Sequence, residues 1–266
     1  MRTTDARHRI RVRSVFVSDV HLGSRGCRAD QLLEFLRTVE MDYLFLVGDI
    51  VDLWSLRRSF YWPQEHNDVL RMILGKAKHG TRVVYVPGNH DEELRDFCGS
   101  VFGNLAIRRK YVHETAAGET LLVMHGDEFD TAVKFSPWLA RLGSHVYDFT
   151  VVLNRGVNAL RRRFGFPYWS LANWLKHRVK NAIEYIDSFE RAAAHAARRR
   201  GVDGIVCGHI HRAAIREIDG VRYCNDGDWV ESCTALVEDM NGHLALWNWT
   251  ELRNTFAREE RVSAAA

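Results

Sequence analysis

Residues Val12 to His21 read VRSVFVSDVH, and this segment indicates how the rest of the chain is organised. It opens with a run of mostly β-branched and aromatic residues that ends at Val17, and it turns polar at Ser18 and Asp19. Short apolar runs of this length are typical of buried strands, because helices need longer periodic segments. The segment therefore predicts a buried strand with chemically active side chains at its carboxyl end.

Four further apolar runs end in the same way, in Gly, Asp, Asn or His. They are Tyr43 to Val47, Arg82 to Val86, Leu121 to Met124 and Gly204 to Cys207. Two segments of helical periodicity, Ala29 to Glu40 and Glu65 to His79, lie between the early runs. Strands that alternate with helices predict an α/β sandwich.

The last part of the chain has a different pattern. Four closely spaced apolar runs, Ala213 to Ile218, Val221 to Cys224, Thr234 to Glu238 and His243 to Trp249, are joined in pairs at Asp-Gly and Asn-Gly turns. Such dipeptides between short strands favour tight antiparallel hairpins. We therefore expect antiparallel strands to complete the sheets.

Residues 129–200 interrupt the strand pattern with long helical periodicity. They hold 13 lysine and arginine residues against 5 acidic ones, with many aromatic residues between them. We predict a helical cap at 129–200, inserted into a core of residues 10–128 and 201–252, with a C-terminal tail at 253–266. The run Arg161 to Arg163 precedes an aromatic segment. It is interpreted either as a solvated face or as a contact with an anionic membrane surface.

Composition excludes several classes of protein. The chain has 266 residues, 46% of them hydrophobic, which is enough for a large buried core. It contains no apolar stretch of about 18 residues, so no transmembrane helix is expected. The five cysteines include no C-x-x-C pair, which favours small buried thiols in a reducing compartment. We expect a cytoplasmic protein, either free or peripheral to the inner membrane.

The strand ends carry side chains suited to binding metal ions. Alone, any one of them is explained by a surface carboxylate or a core histidine, but seven oxygen and nitrogen donors recur in order after apolar runs. These donors are Asp19, His21, Asp49, Asn89, His125, His209 and His211. One zinc ion takes only three or four protein ligands, so seven donors predict two metal ions with a bridging carboxylate. Manganese is expected, and iron or zinc also suits these donors.

The order D-x-H, G-D-x-x-D, G-N-H-D, H-G and G-H-x-H over residues 19–211 resembles the calcineurin-like metallophosphoesterase superfamily. The resemblance implies a four-layer α-β-β-α sandwich of two mixed sheets. It also implies a division of the donors: Asp19, His21 and His211 on one metal, Asn89, His125 and His209 on the other, and Asp49 on both.

The same resemblance assigns the catalytic step. His90 matches the catalytic histidine of the superfamily, Asp91 its orienting partner, and Asp52 a position that supports the site. The implied reaction is hydrolysis of a phosphoester by metal-activated water, with His90 stabilising charge or protonating the leaving oxygen.

The substrate class rests on a narrower resemblance. The motifs, the helical insertion after His125 and the Gly227-Asp228-Trp229 segment are similar to the UDP-2,3-diacylglucosamine pyrophosphatases of lipid A biosynthesis. This implies a UDP-acyl-sugar substrate, with the 129–200 cap holding acyl chains at a membrane face. The best-known members of that group carry Arg where this chain has His90, so a sister group with a related substrate is also compatible.

Other functions remain open from the sequence. A soluble metallophosphodiesterase or phosphatase would act on a cyclic nucleotide or another phosphodiester, although it would need no large aromatic cap. A nucleic-acid-binding protein or nuclease would use the basic, aromatic insertion to contact phosphates and bases. No nucleic-acid partner is expected, because the excess charge is confined to this insertion and no nucleic-acid fold signature occurs. The aromatic residues of 60–68 predict loop packing more than stacking on a base or sugar.

Overall fold

The computed structural model describes residues 9–131 and 171–256, the latter as backbone alone over 171–182. These residues form twelve strands. They are β1 (Ile10–Val17), β2 (Val39–Val47), β3 (Arg82–Val86), β4 (Val101–Phe102), β5 (Leu105–Ile107), β6 (Tyr111–Glu114), β7 (Thr120–Val123), β8 (Gly204–Cys207), β9 (Ala214–Ile218), β10 (Val221–Asn225), β11 (Thr234–Glu238) and β12 (Leu244–Asn248).

The helices are α1 (Ala29–Thr38), α2 (Leu53–Arg58), α3 (Gln64–Lys78), α4 (Leu171–Arg200) and α5 (249–256). Two 3-10 turns cover Glu92–Phe97 and Asp127–Thr131. The predicted helices are present, but α1 ends at Thr38 rather than Glu40, because β2 begins directly at Val39. Helix α2 and strands β4 to β6 are too short for hydrophobic periodicity to predict.

The strands form two mixed sheets. The larger has the order β12-β11-β1-β2-β3-β5-β4, and the smaller has the order β6-β7-β8-β10-β9. Neighbouring strands from β1 through β2 and β3 to β5 are parallel, as are β7, β8 and β10. The predicted hairpins β9–β10 and β11–β12 are antiparallel. The predicted α/β fold with two mixed sheets is therefore confirmed.

The two faces of the larger sheet bury different side chains. Along β1, Val15 and Val17 join the core that also holds residues of α1 and α3, whereas Phe16 joins a second core. This alternation follows from the two-residue period of a strand. The second core contains Phe45 from β2 and Val206 from β8, so it lies between the two sheets.

Helix α3 packs through one apolar stripe. Its buried residues His66, Val69, Ile73 and Ala77 recur at three- and four-residue spacing, as expected for an amphipathic helix. His66 Nδ1 accepts a hydrogen bond from Gly23 N (3.0 Å). The rings of the preceding segment surround this histidine, with Tyr61 and Trp62 edge-on to it at 5.8 and 5.4 Å between centroids. Both of these rings therefore pack, as predicted, whereas Phe60 is exposed.

The chain divides into two compact units, one of Met1–Asp127 with Ala193–Ala266, and one of Glu128–Ala192. Most of the second unit, including Arg161 to Arg163 and the aromatic segment after them, lies outside the described residues. The helical cap at 129–200 and its membrane contact therefore stay predictions. Across residues 9–131 and 171–256, none of the helices combines the length and apolar character needed to cross a bilayer.

Candidate metal centre

The seven predicted donors lie on loops that follow parallel strands. In open α/β sheets such loops gather beyond the carboxyl ends of the strands. Backbone hydrogen bonds join the loops to one another: Asp19 N donates to Gly48 O (3.0 Å), and Gly208 N donates to His125 O (3.1 Å). The donors are therefore carried by a connected set of loops from both sheets.

Six of these donors and His90 form three sets of side chains whose ligand atoms lie within 4.8 Å of one another. The sets are Asp19, His21 and His211; His21, Asp49 and His90; and Asp49, His125 and His209. Asp49 and His21 each belong to two sets, so the three sets form one continuous cluster. Asp49 stands where the side chains of two sets meet, which is the position that a bridging carboxylate requires.

The contact distances within the cluster suit shared cations. His211 Nε2 lies 3.1 Å from Asp19 Oδ1, and His125 Nε2 lies 3.3 Å from Asp49 Oδ2. His21 Nε2 is 4.0 Å from the same Asp49 oxygen. Two ligand atoms that bind the same ion, each at about 2.0–2.2 Å, lie roughly 3 Å from one another. The first two pairs therefore already have the spacing of ligands on a common metal.

Three ligand atoms of the cluster, and the amide oxygen of Asn89, are buried with no hydrogen-bond partner among the described residues. They are Asp19 Oδ1, His21 Nε2, Asn89 Oδ1 and His125 Nε2. A buried polar atom without a partner costs about 1–3 kcal/mol, so four such atoms on the loops that carry the donors need a physical reason. Coordination to divalent cations would satisfy all four atoms, and carboxylate, amide and imidazole donors suit such ions. The residues present fit a metal centre.

The histidine rings are held through their other nitrogens. His125 Nδ1 contacts Val47 O at 2.8 Å, and His21 Nδ1 contacts Asp52 Oδ2 at 3.2 Å. A proton on Nδ1 leaves the Nε2 lone pair available to a metal, as is usual for histidine ligands. These contacts therefore set both the direction and the tautomer that coordination needs.

The backbone of the donors is unusual. Five non-glycine donors have positive φ: Asp19 at 49°, His21 at 53°, Asp49 at 54°, His209 at 71° and His211 at 54°. Left-handed backbone is uncommon for such residues and costs on the order of 1–3 kcal/mol each, and it clusters at functional sites. The loops hold these strained conformations in place, which indicates that each donor side chain must point in one particular direction.

A glycine allows two of the loops to approach each other closely. Gly48 has φ of +87°, and a Cβ placed on it would lie 2.3 Å from His125 Nδ1. No side chain can occupy that space without moving the imidazole. The glycine before Asp49 is therefore needed both for the turn and for the position of His125.

His90 lies beside the cluster, with its Nε2 4.0 Å from Asp49 Oδ2. Its Nδ1 is 3.0 Å from Asp52 Oδ1, and Asp52 also caps helix α2 by accepting from Ser55 N (2.8 Å). The indole of Trp54, on the same helix, covers the imidazole with 4.4 Å between ring centroids. Asp52 therefore holds both His90 and His21.

The prediction that Asp91 orients His90 is wrong, because its carboxylate turns away from the imidazole. Its oxygens accept hydrogen bonds from Gly88 N (2.6 Å), Ile50 N (2.9 Å) and the Tyr85 hydroxyl (2.5 Å). Asp91 is fully buried, and burial, followed by the charge of Asp49, raises its pKa. Asp91 thus braces the backbone of two loops, and Asp52 is the carboxylate that contacts His90.

The electrostatic balance keeps the shared carboxylate ionised. Burial raises the pKa of Asp49, but His125 and His21 outweigh burial and hold that pKa at about 2. Asp52 is also buried, yet its hydrogen bonds to His21, His90 and Ser55 lower its pKa. Both carboxylates are therefore charged at neutral pH and suited to a cationic ligand.

Two contacts of the site were not predicted from the sequence. Trp54 could be noticed in the sequence only as an aromatic residue two positions after Asp52. An aromatic residue that packs in a core would look the same. Ser18 lies within the first motif, and its hydroxyl contacts Asp19 and the buried Asp226. Nothing in the sequence around Asp226 distinguishes it from a turn residue.

Comparison with known proteins identifies related sequences. Residues 12–213 match the family described as calcineurin-like phosphoesterase. The chain is 28% identical to a UDP-2,3-diacylglucosamine hydrolase of Azotobacter vinelandii over 242 residues, 86% of this chain and 96% of that protein. It is 28% identical to a protein of the same name from Porphyromonas gingivalis over 245 residues, 83% of this chain and 92% of that protein.

Solved structures show more distant similarity. The phosphoesterase Yfce of E. coli has a TM-score of 0.42 and 14% sequence identity, with 88% of this chain and 98% of that chain covered.

Proposed function

Because the chain belongs to the calcineurin-like phosphoesterase family and is therefore a metal-dependent phosphoester hydrolase, we propose that it cleaves the pyrophosphate of a UDP-acyl-sugar such as UDP-2,3-diacylglucosamine. Water attacks one phosphorus, the bond to the bridging oxygen breaks, and the products are UMP and an acyl-sugar phosphate. The geometry of the site supports the reaction type, and the named relatives suggest the substrate class.

Two cations would share the donors. Asp19, His21 and His211, which form one of the observed sets, would hold one cation. His125 and His209, which share a set with Asp49, would hold the other together with Asn89, and Asp49 would contribute to both. Two bound divalent cations would lower the pKa of a water molecule and neutralise the phosphate oxygens. We propose manganese, with iron or zinc compatible with the same donors.

His90 acts on the leaving group. Asp52 holds its Nδ1, so Nε2 is the nitrogen directed at the cluster. In its protonated form, His90 stabilises the charge that develops on the leaving oxygen, or gives its proton to that oxygen. Trp54 covers one side of the imidazole and limits its movement.

The observation that carries the reaction type is the position of Asp49 within the cluster. Its Oδ2 faces His125 and His21, which belong to the two different sets of donors. A carboxylate in this position supports a paired rather than a single cation site. Paired cations about 3.5–4 Å apart are the arrangement that stabilises both the attacking and the leaving oxygen of a phosphoryl group.

The substrate class is supported by two relatives aligned over more than nine-tenths of their length. His90, in place of the arginine expected for that group, favours one alternative, a metallophosphodiesterase or phosphatase that acts on a cyclic nucleotide or another phosphodiester. An imidazole can protonate a leaving oxygen at neutral pH, whereas a guanidinium cannot.

A side-by-side assay separates these substrates. Manganese-loaded protein is incubated with UDP-2,3-diacylglucosamine, a cyclic nucleotide and bis(p-nitrophenyl) phosphate, and the products are resolved by chromatography. We expect UMP release to have the highest kcat/KM. Preference for either of the other two substrates would assign the alternative function.

Two variants control this assay. Asp49→Ala should lose both bound metal and turnover, whereas His90→Ala should keep its metal and lose about 10²–10⁴-fold in turnover, the usual contribution of a general acid. Metal content is measured by elemental analysis. An Asp49→Ala protein with two bound metal ions per chain would contradict the proposed site.

An acyl-sugar substrate also implies a location. We propose a cytoplasmic protein that associates peripherally with the inner membrane, where such a substrate would reside. Co-sedimentation with anionic vesicles at low and high salt tests this, because electrostatic binding weakens as salt is added. Absence of binding at low salt would contradict the association without affecting the hydrolase assignment.

A further inference from the structure

The segment Asn225–Trp229, which begins at the end of β10, lies against the loops of the metal centre. Asn225 Nδ2 donates to Gly208 O (2.7 Å), and Trp229 N donates to Asp19 O (3.1 Å). The segment thus contacts the loops that carry Asp19 and His209. Between these two contacts lies Asp226, a fully buried residue that none of the sequence motifs includes.

The side chains of Asp226, Ser18 and Asp19 form a line that leads to the metal centre. Ser18 Oγ is 2.6 Å from Asp226 Oδ1 and 2.5 Å from Asp19 Oδ2. The same Asp19 oxygen accepts from His209 N (2.8 Å). The other oxygen, Asp19 Oδ1, points to His211 instead. The two oxygens of Asp19 therefore have different roles, one held by protein donors and one directed to the cluster.

The number of protons in this line is limited. A serine hydroxyl carries one hydrogen, and it cannot donate to two carboxylates at once. Two oxygens 2.6 Å apart with no proton between them would repel, so one of the acids must carry a proton. Asp19 Oδ2 already accepts from a backbone N–H, whereas Asp226 Oδ2 has no partner among the described residues. The protonated acid is therefore Asp226.

Burial agrees with this assignment. Asp226 is 0% exposed, and burial raises its pKa well above the usual range, with the charge of Asp19 adding to the effect and the Ser18 hydrogen bond opposing it. An ionised carboxylate in such surroundings would need several donors or a cation. Asp226 is also absent from the sets of metal-donor side chains formed by the described residues.

We propose that Asp226 is a positioning residue that, as a neutral acid, donates to Ser18 Oγ and thereby directs the serine proton to Asp19 Oδ2. Asp19 is then held in one orientation, with Oδ1 presented to the cation that it shares with His21 and His211. This inference rests on the proposed function, because it takes Asp19 to be a metal ligand.

The test compares two substitutions of Asp226 by manganese titration calorimetry. In Asp226→Asn the amide donates to Ser18 in place of the acid, so the affinity for manganese should stay close to that of the unsubstituted protein. Asp226→Ala and Ser18→Ala remove the donor or the relay, and each should weaken manganese binding about 10–100-fold, as is usual for groups that orient a ligand. The double Ala variant should be no weaker than the weaker single variant, because the two residues act in one line.

A spectroscopic measurement reports the proton directly. An infrared difference spectrum between the unsubstituted protein and Asp226→Asn should contain the C=O band of a neutral carboxylic acid. A carboxylate band in its place would overturn the assignment. This measurement needs no metal and no substrate.

A neighbouring carboxylate provides a matched control. Asp228 is also buried, but it accepts hydrogen bonds from Val230 N (2.8 Å) and Glu231 N (2.6 Å). Asp228→Asn should lower the melting temperature and leave manganese affinity unchanged. This control separates damage to the segment from loss of the relay.

The outcomes distinguish this inference from the proposed function. If Asp19→Ala binds manganese as tightly as the unsubstituted protein, the proposed metal site is wrong. If Asp19→Ala loses manganese while Asp226→Asn is as impaired as Asp226→Ala, Asp226 acts as an ion and the inference is wrong. Unchanged affinity in Ser18→Ala would also overturn it, and this variant decides the question even if Asp226→Ala does not fold.

Discussion

Replacing Glu238 with Gln should remove a pH-dependent part of the stability of the protein, at a site separate from the metal centre. Glu238 ends β11 and is fully buried. One oxygen accepts from Ser14 Oγ (2.5 Å) and lies 2.7 Å from His113 Nε2. The other accepts from Arg13 (2.6 Å) and from Ala116 N (2.8 Å). Because His113 lies on β6, this cluster joins the two sheets.

The size of the effect follows from the pKa of Glu238. Burial raises this pKa, but the hydrogen bonds from His113, Ser14 and Arg13 outweigh burial and lower it from 4.5 to about 2. Each unit of pKa shift is worth about 1.4 kcal/mol, so this shift corresponds to roughly 3 kcal/mol of unfolding free energy. Since the folded-state pKa is the lower one, this stability is fully present above the unfolded pKa. It is lost as the pH falls from about 5 to about 2.

The assay is urea unfolding of both proteins at several pH values between about 7 and 3. The difference in unfolding free energy should be largest near neutral pH and should shrink as the pH falls, because glutamine does not titrate. Glu40→Gln is the control. Glu40 pairs with Arg9 at 2.7 Å, but the side chain is 42% exposed, so its loss should cost less than about 1 kcal/mol. A difference for Glu238→Gln that is independent of pH, or no larger than that of the control, would refute the reasoning.

Three further predictions concern the metal centre. Asp52→Ala should weaken manganese binding about 10–100-fold and also lower turnover, because it releases both His21 and His90. Titration calorimetry measures the affinity and steady-state kinetics the turnover, and an unchanged affinity would contradict the prediction. Gly208→Ala would place a Cβ 2.2 Å from Ser18 Oγ and 2.5 Å from Asp19 Oδ2. We therefore expect about 1–3 kcal/mol of destabilisation in urea unfolding, and weaker manganese binding. Unaltered values would contradict this expectation and would show that the loops move apart easily. Chelation should lower the melting temperature, and added manganese should restore it progressively with concentration; a melting temperature insensitive to chelator would argue against a bound ion.

The convergence of the donors could be predicted because one rule connects sequence to position. Parallel strands place their carboxyl ends at the same edge of a sheet, so polar residues after successive strands meet there. Asp19, Asp49 and His90 follow the three neighbouring strands β1, β2 and β3 of the larger sheet. Their proximity follows once the strands and their parallel order are recognised.

The partner of His90 could not be predicted in this way. Asp91 is adjacent in sequence, whereas Asp52 is 38 residues away, and the sequence offers both as carboxylates near the site. The choice depends on side-chain direction. Asp91 turns inward to Tyr85, and helix α2 begins with Asp52 as its cap, which fixes that carboxylate over the histidines. Such a choice depends on backbone geometry that neither periodicity nor motif spacing contains.

The metal centre and the packing of the two sheets are parts of one structure. Asp19 and Asp49 come from the larger sheet, whereas His125 and His209 follow β7 and β8 of the smaller sheet. The distance between the donors therefore depends on how closely the sheets pack, and the core between them is dense, with Phe16 and other aromatic rings stacked at 4.6 Å or edge-on. Because interiors packed in this way change little in volume, the sheets can keep the donors in register before any cation binds. This accounts for the buried donor atoms that have no hydrogen-bond partner among the described residues. The packed sheets hold the loops at a spacing that bound cations would satisfy.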